Sequence, residues 1–139
     1  MVSTTFTAVQ IASIAAAVLV VGVAAFQVAL AFGAPLGDAV FGGKAPTQDG
    51  VLKGRFRVIA ALQALILLLI AWVLLARTGV VTIPFLSGDT LVWLTWVIVV
   101  FLALNTFANF AAPHPVERWV MGTITLTTSA LGVFISLTA

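Results

Sequence analysis

The chain has no cysteine and no tyrosine among its 139 residues. Without cysteine there are no disulfides, thiolate metal sites, iron–sulfur clusters or redox thiols. Without tyrosine no phenol can relay a proton. Charge is scarce as well. Only 7% of residues are Asp, Glu, Lys or Arg, against roughly 25% in a soluble domain. There is one histidine, so a metal centre would have to be assembled from few and scattered ligands, whereas zinc takes several convergent ones.

What fills the chain is apolar surface: 63% hydrophobic residues and a mean hydropathy of +1.27. Four runs are long enough to cross a hydrocarbon core, which takes about 20 helical residues. They cover Thr7–Phe32, Arg57–Ala76, Thr90–Ala112 and Val116–Thr138. The expected architecture is all-α: one transmembrane domain over residues 1–139, an antiparallel up-down four-helix bundle with a capping loop over 33–56. The first run lacks the basic start and short apolar core of a signal peptide. Ala29-Leu30-Ala31 would suit a cleavage site, but length favours a retained helix.

The capping loop is long for a bundle connection, which usually takes about 2–8 residues. Its first half, 33–43, is apolar and rich in Gly and Pro. Backbone of that kind enters a bilayer only where protein or water satisfies it, so this half is expected to fold over the bundle as a cap or shallow re-entrant turn. The second half, Lys44–Gly54, is polar and expected to be a free loop. Asp89 is the expected N-cap of the third helix. In Pro113-His114-Pro115 the prolines force an extended turn, with Pro115 opening the fourth helix and His114 serving as a turn residue.

Basic residues set the expected orientation. Lys44, Lys53, Arg55, Arg57 and Arg118 share one side, and Arg77 stands alone on the other. This places the first and third connections in the cytoplasm, both termini outside, and the chain in the inner (plasma) membrane. Trp72, Trp93, Trp96 and Trp119 fall near helix ends, as an interfacial belt requires.

Steps of three and four residues give each helix a packing seam. They are Gln10, Ser13, Ala17, Val20, Ala24, Gln27; Arg57, Ala60, Ala64, Leu67, Ala71; Thr95, Ile98, Leu102, Asn105, Asn109; and Gly122, Thr125, Ser129, Gly132, Ser136. At 1.5 Å per residue, Gln27, Gln63, Asn105 and Asn109 lie roughly 5–10 Å inside the same half of the membrane. Arg57, Glu117 and Arg118 ring that end, with Glu117 expected to meet Arg55 or Arg57. Amides in hydrocarbon are costly unless paired. One reading has them clamp the helices together. The other makes Gln27, Gln63, Asn105 and Asn109 the floor of a pocket for a small amphipathic molecule or lipid headgroup, with Arg57 and Arg118 holding an anionic or carbonyl group and Glu117 at the rim.

Apart from Glu117, one residue into the fourth run, no Asp or Glu lies within a span, which speaks against a proton- or cation-coupled transporter. The glycines at 42 and 43 lack the strand and the Gly-Lys-Ser/Thr of a phosphate loop, and no Ser/His pair has a third member. The expectation is a non-enzymatic protein with no catalytic residues, cofactor, metal or nucleic-acid partner. Its expected partners are membrane lipid, a small amphipathic ligand, and either another copy or a membrane protein. An accessory subunit or homo-oligomer packing through the helix-four seam is the alternative, and a small-solute transporter comes third.

The motif Gly33-Ala34-Pro35-Leu36-Gly37, followed by Gly42-Gly43, Arg57 and Asn105…Glu117-Arg118, resembles an uncharacterised family of small bacterial four-helix integral membrane proteins. The resemblance spans nearly the whole chain. It implies four spans and marks the cap and the Asn…Glu-Arg stretch as characteristic parts, and it implies nothing about a substrate.

Overall fold

A computed structural model describes residues 5–139. The expected domain also includes residues 1–4, which lie outside the described residues. Four helices carry the fold: α1 (Ala8–Ala31), α2 (Arg55–Arg77), α3 (Gly88–Ala111) and α4 (Gly122–Thr138), the last entered through a π-helical turn, Val116–Met121. Each segment is long and apolar enough to cross a membrane, with the π turn and α4 counted together as Val116–Thr138.

Local chemistry sets the helix ends. Thr7 and Gln10 form a capping box at the start of α1: the Thr7 hydroxyl accepts from Gln10 N, and Gln10 Oε1 accepts from Thr7 N. Two of the helix's unpaired N–H groups are thereby satisfied. At α3 the cap is Ser87, whose hydroxyl accepts from Thr90 N at 3.2 Å. The expectation for Asp89 is thus corrected. It sits in the first turn, where the helix dipole favours its charge but a cap geometry is not available. His114 Nδ1 accepts from Val116 N at 3.2 Å, so this turn histidine closes the start of the last helical segment. Pro115 is already helical there.

Small residues let the helices approach. Ala12, Ala16, Ala17 and Val20 of α1, Ile70, Ala71 and Leu74 of α2, Ile98 and Leu102 of α3, and Ile135 of α4 form one buried core. Every position on the four sequence seams is buried or half-buried. Thr78, just past α2, meets α1 at its start, where its hydroxyl pairs with Ser13 Oγ at 2.7 Å and its carbonyl accepts from Gln10 Nε2. Arg57 at the start of α2 donates to Ala31 O at the end of α1. Helices α1 and α2 pack most extensively, followed by α3 with α4 and α1 with α4, while α2 and α3 pack least of the pairs joined in sequence. Their short connection does not draw them together along their length. The outward faces are covered with large apolar side chains such as Val18, Leu62, Val100 and Leu126, a surface rare among soluble monomers.

Gly122 and Gly132 fix the α3–α4 approach. A Cβ on Gly132 would lie 2.9 Å from Val99 Cγ2, and one on Gly122 would lie 2.9 Å from the Phe110 ring. Gly132→Val is therefore expected to lower thermal stability by about 1–3 kcal/mol through overpacking, read as a drop in the melting midpoint in detergent. An unchanged midpoint would refute this packing.

The connection 33–54 folds as a structured cap. Two 3₁₀ turns, Gly37–Ala39 and Phe41–Gly43, precede a small antiparallel hairpin in which β1 (Thr47–Gln48) pairs with β2 (Val51–Leu52). The polar half, expected as a free loop, is corrected by this hairpin. Its register is set by alternation, because Leu52 turns inward with Ala45 and Val40 against Leu30 and Ala60, giving the cap a core of its own.

Candidate functional site

A cavity of about 120 Å³ opens among the four helical segments. Its polar lining is Gln27 from α1, Gln63 from α2, Asn105 and Asn109 from α3, and Thr125 from α4. The helices bring these groups together because each occupies an inward seam or its edge in the half of the bundle nearest the 33–54 connection. Counted from the helix termini, Asn109 lies roughly 3 Å inside and Gln63 roughly 12 Å. Apolar side chains, including Val23, Leu67, Leu102 and Met121, complete the wall. A single water needs roughly 10–15 Å³ of such space, so the cavity has room for several waters or a small polar head.

Hydrogen bonds within the lining are few. Asn109 Nδ2 donates to Thr125 Oγ1 at 3.3 Å, the one bond in this lining that joins two helices. Asn105 Nδ2 turns back to Phe101 O of its own helix at 2.8 Å. The Thr125 hydroxyl donates to its own helix, at Met121 O or Gly122 O. Gln27 Oε1 is buried and has no hydrogen-bond partner. An unpaired buried acceptor costs about 1–3 kcal/mol. A set of amides serving only as interhelical clamps would be expected to pair with one another, and here a single clamp forms.

Arg57, Glu117 and Arg118 do not line this cavity. Arg57 Nε donates to Ala31 O at 2.8 Å, and Arg118 Nε donates to Ala112 O at 2.9 Å. Both cations therefore satisfy carbonyls at the ends of the preceding helices, where unpaired C=O groups carry partial negative charge. The two arginines expected to hold a ligand's anionic or carbonyl group thus stand outside this cavity, each with its Nε committed to a carbonyl of the chain. Glu117 is buried, 8% exposed, and both its oxygens accept from Gly42 N at 3.2 Å. Its expected meeting with Arg55 or Arg57 is replaced by this anchor, which ties the cap to the start of the last helix. Gly42 can offer its N–H in this way because its backbone is left-handed, at φ +64.

Thr125 is the lining residue that sequence reasoning did not place in the site. It stands on the helix-four seam, one turn from Gly122. On that seam it stands among small packing residues, with nothing in the sequence to mark it as a lining group. The far end of the bundle also holds more polar structure than expected: Gln10, Ser13 and Thr78 bond one another there, and the Arg77 guanidinium donates to the carbonyl of Ala139. Comparison with known proteins gives no match to a family model, a curated protein or a solved structure.

Proposed function

We propose that this chain is a non-enzymatic multi-pass protein of the bacterial inner (plasma) membrane, an antiparallel up-down bundle with both termini outside. In this reading the cavity near its capped, cytoplasmic end binds a small amphipathic molecule or lipid headgroup. The observation that supports it is the convergence of Gln27, Gln63, Asn105 and Asn109 on one cavity. Side-chain amides are costly in hydrocarbon, and four of them around a space for a small head suit a ligand better than bare lipid packing. The membrane setting is supported by four helices long and apolar enough to cross. The Gly/Pro cap and Asn…Glu-Arg motifs support placing the chain with the small bacterial four-helix proteins they resemble. A subunit role through the α4 seam has less support, since Gly122, Ser129 and Gly132 are buried within the chain.

The test is saturable binding of a radiolabelled membrane-lipid extract fraction to protein in nanodiscs. Asn109→Leu removes the amide that meets Thr125 and is expected to lower binding at least about fivefold, one bond to a buried polar group being worth roughly 1–3 kcal/mol. Gln10→Leu, at the opposite end, is expected to leave it intact. Equal loss in both variants, or no saturable binding in the parent, would overturn the reading.

A further inference from the structure

Resting on the pocket reading above, we infer that the occupant is an uncharged, hydroxyl-bearing lipid whose head donates a hydrogen bond to Gln27 and whose single apolar tail leaves the protein between α2 and α3. The first argument is the balance of donors and acceptors in the lining. Asn105 and Asn109 each commit one of their two N–H groups to partners within the protein, so each keeps one N–H and a carbonyl oxygen for a ligand. Gln27 Oε1 is buried without a partner. Gln27 lines the cavity, and the last torsion of a glutamine is broad and soft. That unpaired acceptor asks for a donor, and a hydroxyl can donate to it while accepting from a remaining amide N–H.

The second argument is charge. No Asp, Glu, Lys, Arg or His lines the cavity. An ammonium or carboxylate placed there would lose its hydration with no counter-charge to replace it, a large cost in low dielectric. A hydroxyl meets the acceptors without that cost. A methyl ether has the same shape and no donor, and so would leave Gln27 unpaired.

The third argument is the way in. Among the large apolar lining residues, Ile66 of α2 is 48% exposed and Phe101 of α3 is 42% exposed, and of the helices joined in sequence these two pack least closely. The cavity therefore opens sideways, through an apolar mouth, towards the surface that faces lipid in the membrane reading. A free polyol from water would have to cross that apolar mouth, whereas a lipid enters head first from the bilayer with its tail still in hydrocarbon.

The test is photolabelling in nanodiscs with a long-chain primary alcohol carrying a diazirine. Labelling is expected to saturate, to map to peptides containing 63–67 and 101–109, and to be competed by the unlabelled alcohol. Its methyl ether, and the fatty acid and primary amine of equal length, are each expected to compete at least tenfold more weakly, with glycerol weaker still. Gln27→Met keeps the volume, removes the acceptor and is expected to weaken competition by the alcohol about tenfold, towards the ether's level. Should that variant fail to fold, Ile66→Trp, at the exposed mouth, is expected to block labelling while leaving the amides in place. Ether competing as well as alcohol would overturn the donor role of the ligand and leave the pocket reading standing. Equal competition by acid or amine would overturn the uncharged head. Glycerol competing as well as the alcohol would replace the lipid with a free polyol, and unchanged labelling in Ile66→Trp would overturn the lateral entrance. If no probe labels saturably, the pocket reading falls too.

Discussion

Trypsin is expected to cut Gly50→Ala in the cap at Lys44 or Lys53 at least tenfold faster than the parent chain, while the helical content of the two stays equal. Gly50 has a left-handed backbone, at φ +79, and a Cβ there would lie 2.7 Å from Pro35 O. The obstructing atom is backbone, so no side chain can swing aside. Its own carbonyl accepts from Gly37 N at 2.7 Å, joining the hairpin to the first 3₁₀ turn. Forcing an alanine into this position costs about 1–2 kcal/mol for the left-handed conformation alone, and the clash adds to it. The four long apolar helices do not depend on this turn for their own hydrogen bonds, so the loss is local. Lys44 and Lys53 are exposed, and their cleavage follows the fraction of time the cap stands open. Equal cutting rates would mean that the cap is not held by this close approach.

Glu117→Ala is expected to free the other anchor of the cap. The substitution leaves the Gly42 N–H without its acceptor and removes a hydrogen bond to a charged group, worth about 1.5–3 kcal/mol. Hydrogen exchange at Gly42 is the direct measurement, with an expected acceleration of about 10–100-fold through more frequent local opening. Glu117→Gln keeps an acceptor and is expected to fall between the two. Exchange at Gly42 that is unchanged in Glu117→Ala would show that this carboxylate does not hold the cap.

These two positions also mark where the sequence could be read and where it could not. The four spans were legible because hydrocarbon imposes a length and a composition on any helix that crosses it, and the apolar runs carry both. The amides Gln27, Gln63, Asn105 and Asn109 were legible as a group because depth follows from counting residues along a helix, and polar groups at one depth have few places to go. Glu117, Arg57 and Arg118 were misplaced for the opposite reason. Their charge announced a polar contact, but its partner was a backbone group: Gly42 N, Ala31 O and Ala112 O. Backbone groups are present at every residue, so a sequence gives no sign of which ones are left unpaired until the helix ends are known. The hairpin over 47–52 was hidden by its brevity. Two residues per strand are too few for alternation to stand out, and Leu52 alone carries the inward face. The gap between α2 and α3 could not be read either, because a short connection constrains only the joined ends of two helices.

The central claim is that the cavity among Gln27, Gln63, Asn105 and Asn109 holds an amphipathic molecule. An experimental structure of the protein extracted with its native lipids tests it most directly. The account predicts elongated density with its head within hydrogen-bond distance of Gln27 and its tail passing between Ile66 and Phe101. A cavity filled by water alone, or one closed by the four amides bonding to each other, would contradict it.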